Sequence, residues 1–143
     1  MQNAFRISVR EGILLQKKSV KIWKQLTTYI DRIYVANIIG GEPFLNPELK
    51  EIVRICAENP KIETLELTTN ATIVPDDGVI RAIKDGGVTV HISNYPNLDQ
   101  RYIENKRRLI EKLKEYGVPY EYQFHEIWLD FGEIENTITR VRN

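Results

Sequence analysis

Four consecutive residues, Gly40, Gly41, Glu42 and Pro43, end the apolar run "YVANII" and precede "FLNPELKEIV". Paired glycines let a ligand come close to the backbone and leave peptide groups free to bond to it. A carboxylate beside open peptide groups favours an ammonium group. The loop therefore suits a zwitterion such as an amino acid, with its amine at Glu42 and its carbonyl-side atoms at the peptide groups. A phosphate fits poorly, because the Rossmann glycine spacing and the P-loop Gly-Lys-Ser/Thr are both absent and Glu42 would repel it. The same residues also fit a tight turn in which Glu42 is a solvated surface acid.

Other polar groups stand in comparable places: "TTN" ending at Asn70, Ser93 and Asn94 in "SNYP", and "HEIWLDFG" at 125 to 132. His91 shares a strand face with Thr89 and Ser93, which suits either a residue facing an interior or a hydrogen-bonded core histidine. His125, Glu126 and Asp130 do not have a recognised metal-ligand spacing, and no metal site is expected. Trp128, Phe131 and Gly132 fit a substrate pocket, an aromatic core or a partner interface equally well. Cys56 is the one cysteine and lies at a helical apolar position, where a buried small hydrophobe is the expectation.

The elements that must position these residues alternate. "FRISVR", residues 5 to 10, has period two and "EG" turns the chain toward "ILLQ", so residues 1–16 read as a strand or hairpin apart from the domain proper at 17–143. Val20, Trp23, Leu26, Ile30 and Ile33 fall at helical spacing. "RIYVANII" reads as a strand buried on both faces. Asn46, Pro47 and Glu48 read as an N-cap, a first-turn proline and a first-turn acid, opening a helix with Leu49, Ile52, Val53 and Cys56 on its buried side. "KIETLELTTN" is a strand. A short helix around Val79, Ile80 and Ile83 ends at Gly86 and Gly87, and "VTVHISNYP" is the next strand. "LDQRYIENKRRLIEKLKEYG" is the longest helix, apolar through Ile103, Leu109, Ile110, Leu113 and Tyr116, before a last strand in "PYEYQFHEIWL".

Strands at 33–39, 62–68, 88–93 and 119–125 with helices between them predict an α/β fold, a parallel sheet of repeated βα units with right-handed crossovers. Ligands gather at the carboxyl ends of such strands, so the four loops form one candidate rim.

Composition narrows the partners. The chain has 143 residues, 42% hydrophobic and 28% charged, with 20 basic and 20 acidic residues that cancel. One domain with a real core is expected, and there is no net field to recruit nucleic acid or an anionic membrane. Along "KRRLIEKLKEY", Glu111 and Glu115 interleave with Lys112 and Lys114, which suits a solvated helix face. No apolar run reaches the roughly 20 residues that span a bilayer. A small-molecule ligand or a protein partner, and a cytoplasmic location, are the resulting expectations.

"IIGGEPFLNPELKEIV", "LTTN" and "VHISNYP" at successive strand ends resemble the core of the radical S-adenosylmethionine (SAM) superfamily, over roughly residues 17 to 133. The resemblance implies an incomplete (βα)6 partial barrel. It further implies that Gly40, Gly41 and Glu42 meet the methionyl amine of SAM, that Pro43 shapes the loop, and that Asn70, Ser93 and Asn94 line the same cofactor. Such enzymes hold a 4Fe-4S cluster on a CxxxCxxC loop after the first strand, and this chain has no such motif. No catalytic residue or cluster is therefore assigned to it. The expectation is a methionyl-binding segment, inactive as the isolated chain, or else a non-catalytic ligand-binding or interaction domain derived from that fold. With first and last barrel units missing, exposed sheet edges would favour a homo-oligomer or a partner chain.

Overall fold

The computed structural model describes residues 4–9, 28–29, 31–93 and 100–123. Five strands form one sheet in the order β1 (Ala4–Val9), β2 (Ile33–Gly40), β3 (Ile62–Thr69), β4 (Thr89–Ser93) and β5 (Tyr120–Gln123). Every pairing is parallel. The predicted parallel α/β sheet is therefore what the chain forms. The first strand position, expected to be missing, is filled by β1, which pairs with β2 from Ala4↔Val35 to Val9↔Gly40. The return strand expected over "ILLQ" and the helix expected from Ser19 lie outside the described residues, except that Thr28 and Tyr29 are helical and Ile33 opens β2 and is not.

Strands in sequential order joined by right-handed crossovers must place all their crossovers on one face of the sheet. That winding is the one a partial barrel uses. Among the described residues three helices fill the crossovers from β2 to β5: α1 (Leu49–Ala57), α2 (Asp77–Asp85) and α3 (Gln100–Glu115). Their buried residues Leu49, Val53, Cys56, Ile80, Ile83, Leu109 and Leu113 join Ala36, Ile38, Leu65, Leu67, Val90 and Ile92 from the strands in one core. Each buried Leu, Ile or Val among them contributes about 1.5–3 kcal/mol.

Alternation along the strands gives the second face a different character. Asn37, Glu66, Thr68, His91 and Glu121 alternate with the core positions and are matched in register across β2 to β5. The expectation that β2 is buried on both faces is corrected accordingly: Ala36 and Ile38 are fully buried, whereas Val35, Asn37 and Ile39 are only partly so.

The helix ends follow local chemistry. Asn46 does not cap α1 as expected: its Oδ1 accepts from the Glu48 N–H at 2.8 Å in a turn ahead of the helix, the N-cap is Glu48, and α1 begins at Leu49. Asp76 caps α2, its side chain accepting from the Val79 N–H at 2.9 Å. Gly87 and Gly117 take the left-handed φ values of 63° and 65° that end α2 and α3, as the glycine positions predicted. α3 keeps the expected face at Leu109, Ile110, Leu113 and Tyr116 and departs from it at Ile103. Ile103 is 59% exposed, and Tyr102 takes the inward position instead, donating its hydroxyl to the Ser93 carbonyl at 3.0 Å. Among the described residues no helix is long and apolar enough to cross a membrane.

Candidate ligand site at the strand ends

Pro43 fixes the backbone at the start of a single 3-10 turn, Pro43–Leu45, placed between β2 and α1. The turn folds the Glu42 side chain inward, against the end of β3. Glu42 is only 7% exposed, so it is not the solvated surface acid that one reading of the sequence allowed. Its Oε1 accepts from the Phe44 N–H at 3.0 Å, its Oε2 from the Asn70 N–H at 3.0 Å, and the Thr69 hydroxyl lies 2.9 and 2.8 Å from the two oxygens. The Thr69 oxygen accepts in turn from the Ala71 N–H at 2.9 Å. Glu42 thus staples the loop after β2 to the loop after β3.

Burial pushes the Glu42 carboxyl above its ordinary value of 4.5, against the opposing pull of the hydrogen bonds from Phe44, Thr69 and Asn70. Three donors engage a carboxylate with about four acceptor sites, which leaves it room for one further donor.

Asn70 closes the same corner from the other side. Its Nδ2 donates to the Gly41 carbonyl at 3.2 Å, while its Oδ1 accepts from the Thr72 N–H at 2.9 Å and the Thr72 hydroxyl at 2.6 Å. The next residue, Ala71, is fully buried and holds a left-handed φ of 59°, a conformation that costs a non-glycine residue about 1–2 kcal/mol. Asn105 on α3 donates to the Thr72 carbonyl at 2.7 Å, bracing that strained turn.

Gly41 is informative for what it lacks. Its φ is not in the left-handed region, and a Cβ built on it meets no described atom within 4 Å. Neither conformation nor crowding within the described residues requires glycine there.

Of the residues the sequence singled out, the structure brings Gly41, Glu42, Pro43 and Asn70 together, with Gly40 as the last residue of β2. Ser93 ends β4 on the same side of the sheet and is buried at 4% exposure; no described hydrogen bond joins it to the Glu42 corner. Asn94, His125, Glu126, Trp128, Asp130, Phe131 and Gly132 lie outside the described residues. Sequence reasoning missed Thr69 as the partner of Glu42. The signal was present in "LTTN", but only the fold reveals which threonine faces the loop.

Cys56 is buried on α1, as expected, and burial pushes its thiol up to about 11. It suits a core position and not a metal thiolate. Among the described residues no group of three or more His, Cys, Asp or Glu could hold a metal ion. A 4Fe-4S cluster therefore does not fit the residues this chain supplies.

Three curated proteins match short segments of the chain, and all are GTP 3′,8-cyclases. That of Picosynechococcus sp. is 33% identical over 58 residues, covering 36% of this chain and 18% of that enzyme. That of Listeria monocytogenes is 44% identical over 57 residues, covering 39% and 16%. That of Chlorobaculum tepidum is 41% identical over 49 residues, covering 33% and 15%. The chain thus matches less than a fifth of the length of these relatives. No family model matches it, and no solved structure matches it significantly.

Proposed function

We propose that this chain is the methionyl-binding part of a radical SAM-type partial barrel, with SAM or its methionine end received at the loop after β2. The observation that carries the reading is the corner formed by Gly41, Glu42 and Asn70, in which one carboxylate acceptor site and the open flank of Gly41 face the same loop. The sequential parallel sheet supports it. So do the segments similar to GTP 3′,8-cyclases, which are enzymes of the radical SAM type.

In this reading the ammonium of the ligand approaches the Gly41 carbonyl and the remaining acceptor site of Glu42. Pro43 holds the loop, and Asn70 fixes the Gly41 peptide from behind. Ser93, at the end of β4, completes the cofactor wall, and Asn94 is the next residue in sequence. The cluster that would cleave SAM reductively finds no thiolates here, so the isolated chain binds without turnover. A non-catalytic binding domain derived from the same fold is the second reading, favoured by the solitary, core-buried Cys56. Self-association or a partner through the β1 or β5 edge fits either reading.

Calorimetry with SAM and with methionine tests the site, paired with anaerobic reconstitution. We expect binding of at least one ligand, no stoichiometric iron and sulfide, and no 5′-deoxyadenosine under a strong reductant. A near-stoichiometric cluster with turnover would overturn the inactive reading, and the absence of any binding would overturn the site.

A further inference from the structure

We infer that α3 shapes the ligand corner from a distance, with Asn105 as a positioning residue that fixes the Gly41 peptide through Thr72 and Asn70. The inference deepens the proposed function and rests on it for the ligand, while the relay rests on its own hydrogen bonds. It begins in the loop between β3 and α2. Among the described residues, positions 72–75 make no backbone–backbone hydrogen bond, so side chains must hold the loop in shape. Ala71, at its start, keeps a left-handed φ of 59° although it carries a Cβ. Such a residue persists only where its surroundings over-determine it.

α3 supplies two of those side chains. Asn105 Nδ2 donates to the Thr72 carbonyl at 2.7 Å, and Lys112 Nζ donates to the Pro75 carbonyl at 2.8 Å while standing 2.7 Å from Asp77 Oδ1. They lie about two turns apart on the helix, on the side that also carries buried Leu109 and Leu113. Asparagine is a weaker helix former than alanine, lysine or glutamate, so helix propensity does not account for Asn105 inside α3. Its bond to the Thr72 carbonyl does.

From Thr72 the relay reaches the corner. Asn70 Oδ1 accepts from the Thr72 N–H at 2.9 Å and from the Thr72 hydroxyl at 2.6 Å. Because a backbone N–H can meet only the oxygen of a carboxamide, these bonds fix which way the group points, and Nδ2 faces the Gly41 carbonyl at 3.2 Å. That bond occupies one of the two lone pairs of the carbonyl and leaves the other for the ammonium of the proposed ligand. Lys112 has no such route, since Pro75 lies beyond Thr72 along the loop and no described hydrogen bond leads from it to Asn70. The two straps on one helix therefore differ in purpose: Asn105 sets the direction of the Gly41 carbonyl, and Lys112 holds α2 to α3.

The test compares the full 143-residue chain with Asn105→Ala, with Asn105→Asp, which keeps the shape and removes the donor, and with Lys112→Met. Nuclear magnetic resonance of the Asn70 side-chain amide in the ligand-free protein reads the relay, and calorimetry with SAM and with methionine reads its consequence. Both Asn105 variants are expected to move the Asn70 resonances toward those of a solvent-exposed carboxamide and to weaken ligand binding about fivefold. Lys112→Met should lower the melting temperature and leave both the Asn70 resonances and the affinity in place. Asn70 resonances unmoved in both Asn105 variants, affinity in those variants equal to that of a binding wild type, or Lys112→Met moving the resonances as far as Asn105→Ala would each overturn the inference. If the wild type binds neither SAM nor methionine, the SAM reading falls, and the Asn70 resonances alone then decide whether Asn105 positions the corner.

Discussion

Glu42, just past β2, and His91, on β4, are both titratable and both largely withdrawn from water, yet they are served in opposite ways. Glu42 has donors from Phe44, Thr69 and Asn70. Among the described residues His91 has no hydrogen-bond partner for either nitrogen. A buried polar group with a full set of partners contributes to the architecture first and to binding second, whereas an unpartnered one costs the fold and needs some other justification. The Glu42 corner shapes the backbone of its loop; His91 stands unbonded between Glu66 and Glu121 among the described residues.

The sharpest way to break this contrast is to remove the staple. Glu42→Leu strands three donors, two of them backbone N–H groups, and should lower the unfolding free energy by about 3 kcal/mol in urea denaturation. A loss under about 1 kcal/mol would mean that the corner is not structural. Glu42→Gln is not a silent substitution, because its amide nitrogen must face a donor, so affinity changes in that variant must be read alongside stability. Thr69→Val removes one hydroxyl from the same corner and should cost about 1 kcal/mol.

Titration sharpens the comparison further. A carboxyl whose value is raised in the fold holds its proton more tightly there than in the unfolded chain. The contribution of Glu42 to stability is therefore complete below its ordinary value of 4.5 and is lost as pH rises through the raised folded value. Glu51, exposed on α1 and hydrogen-bonded to Arg54, is shifted the other way. Side-chain carboxyl resonances should show Glu42 titrating above 4.5 and Glu51 below it. The reverse order would contradict the burial argument. Asn105→Ala, which frees the Thr72 carbonyl, should have the smallest effect, within about 1 kcal/mol, visible as faster amide exchange around Ala71.

Much of this arrangement was legible because two periods differ. Period two in "LELTT" and helical spacing through Leu49, Val53 and Cys56 gave the alternation, and the strand ends placed Gly41, Glu42 and Asn70 on one rim. The partners were not legible. Which threonine meets Glu42, 27 residues away, depends on the register of β2 against β3, and parallel register leaves no local mark. Ile103 was misplaced because an apolar residue at helical spacing can sit on the rim of the buried face, and Tyr102 outcompetes it by burying its ring while its hydroxyl reaches Ser93. The polar row did leave a trace: Asn37 interrupts "YVANII" and Glu66 interrupts "TLELT", both in phase with the strand period. Reading β2 as wholly apolar hid it.

The claim that the loop after β2 receives the methionyl end of SAM is tested most directly at Gly41, where neither φ nor neighbouring atoms within the described residues demand glycine. Gly41→Ala leaves the staple intact and should keep or slightly raise stability, by up to about 1 kcal/mol. Calorimetry on wild type and Gly41→Ala should show SAM binding weakened about tenfold as the methyl group enters the ligand's path to the backbone. Unchanged affinity in an equally stable variant would contradict the account, because the open flank of Gly41 would then not be where the ligand approaches.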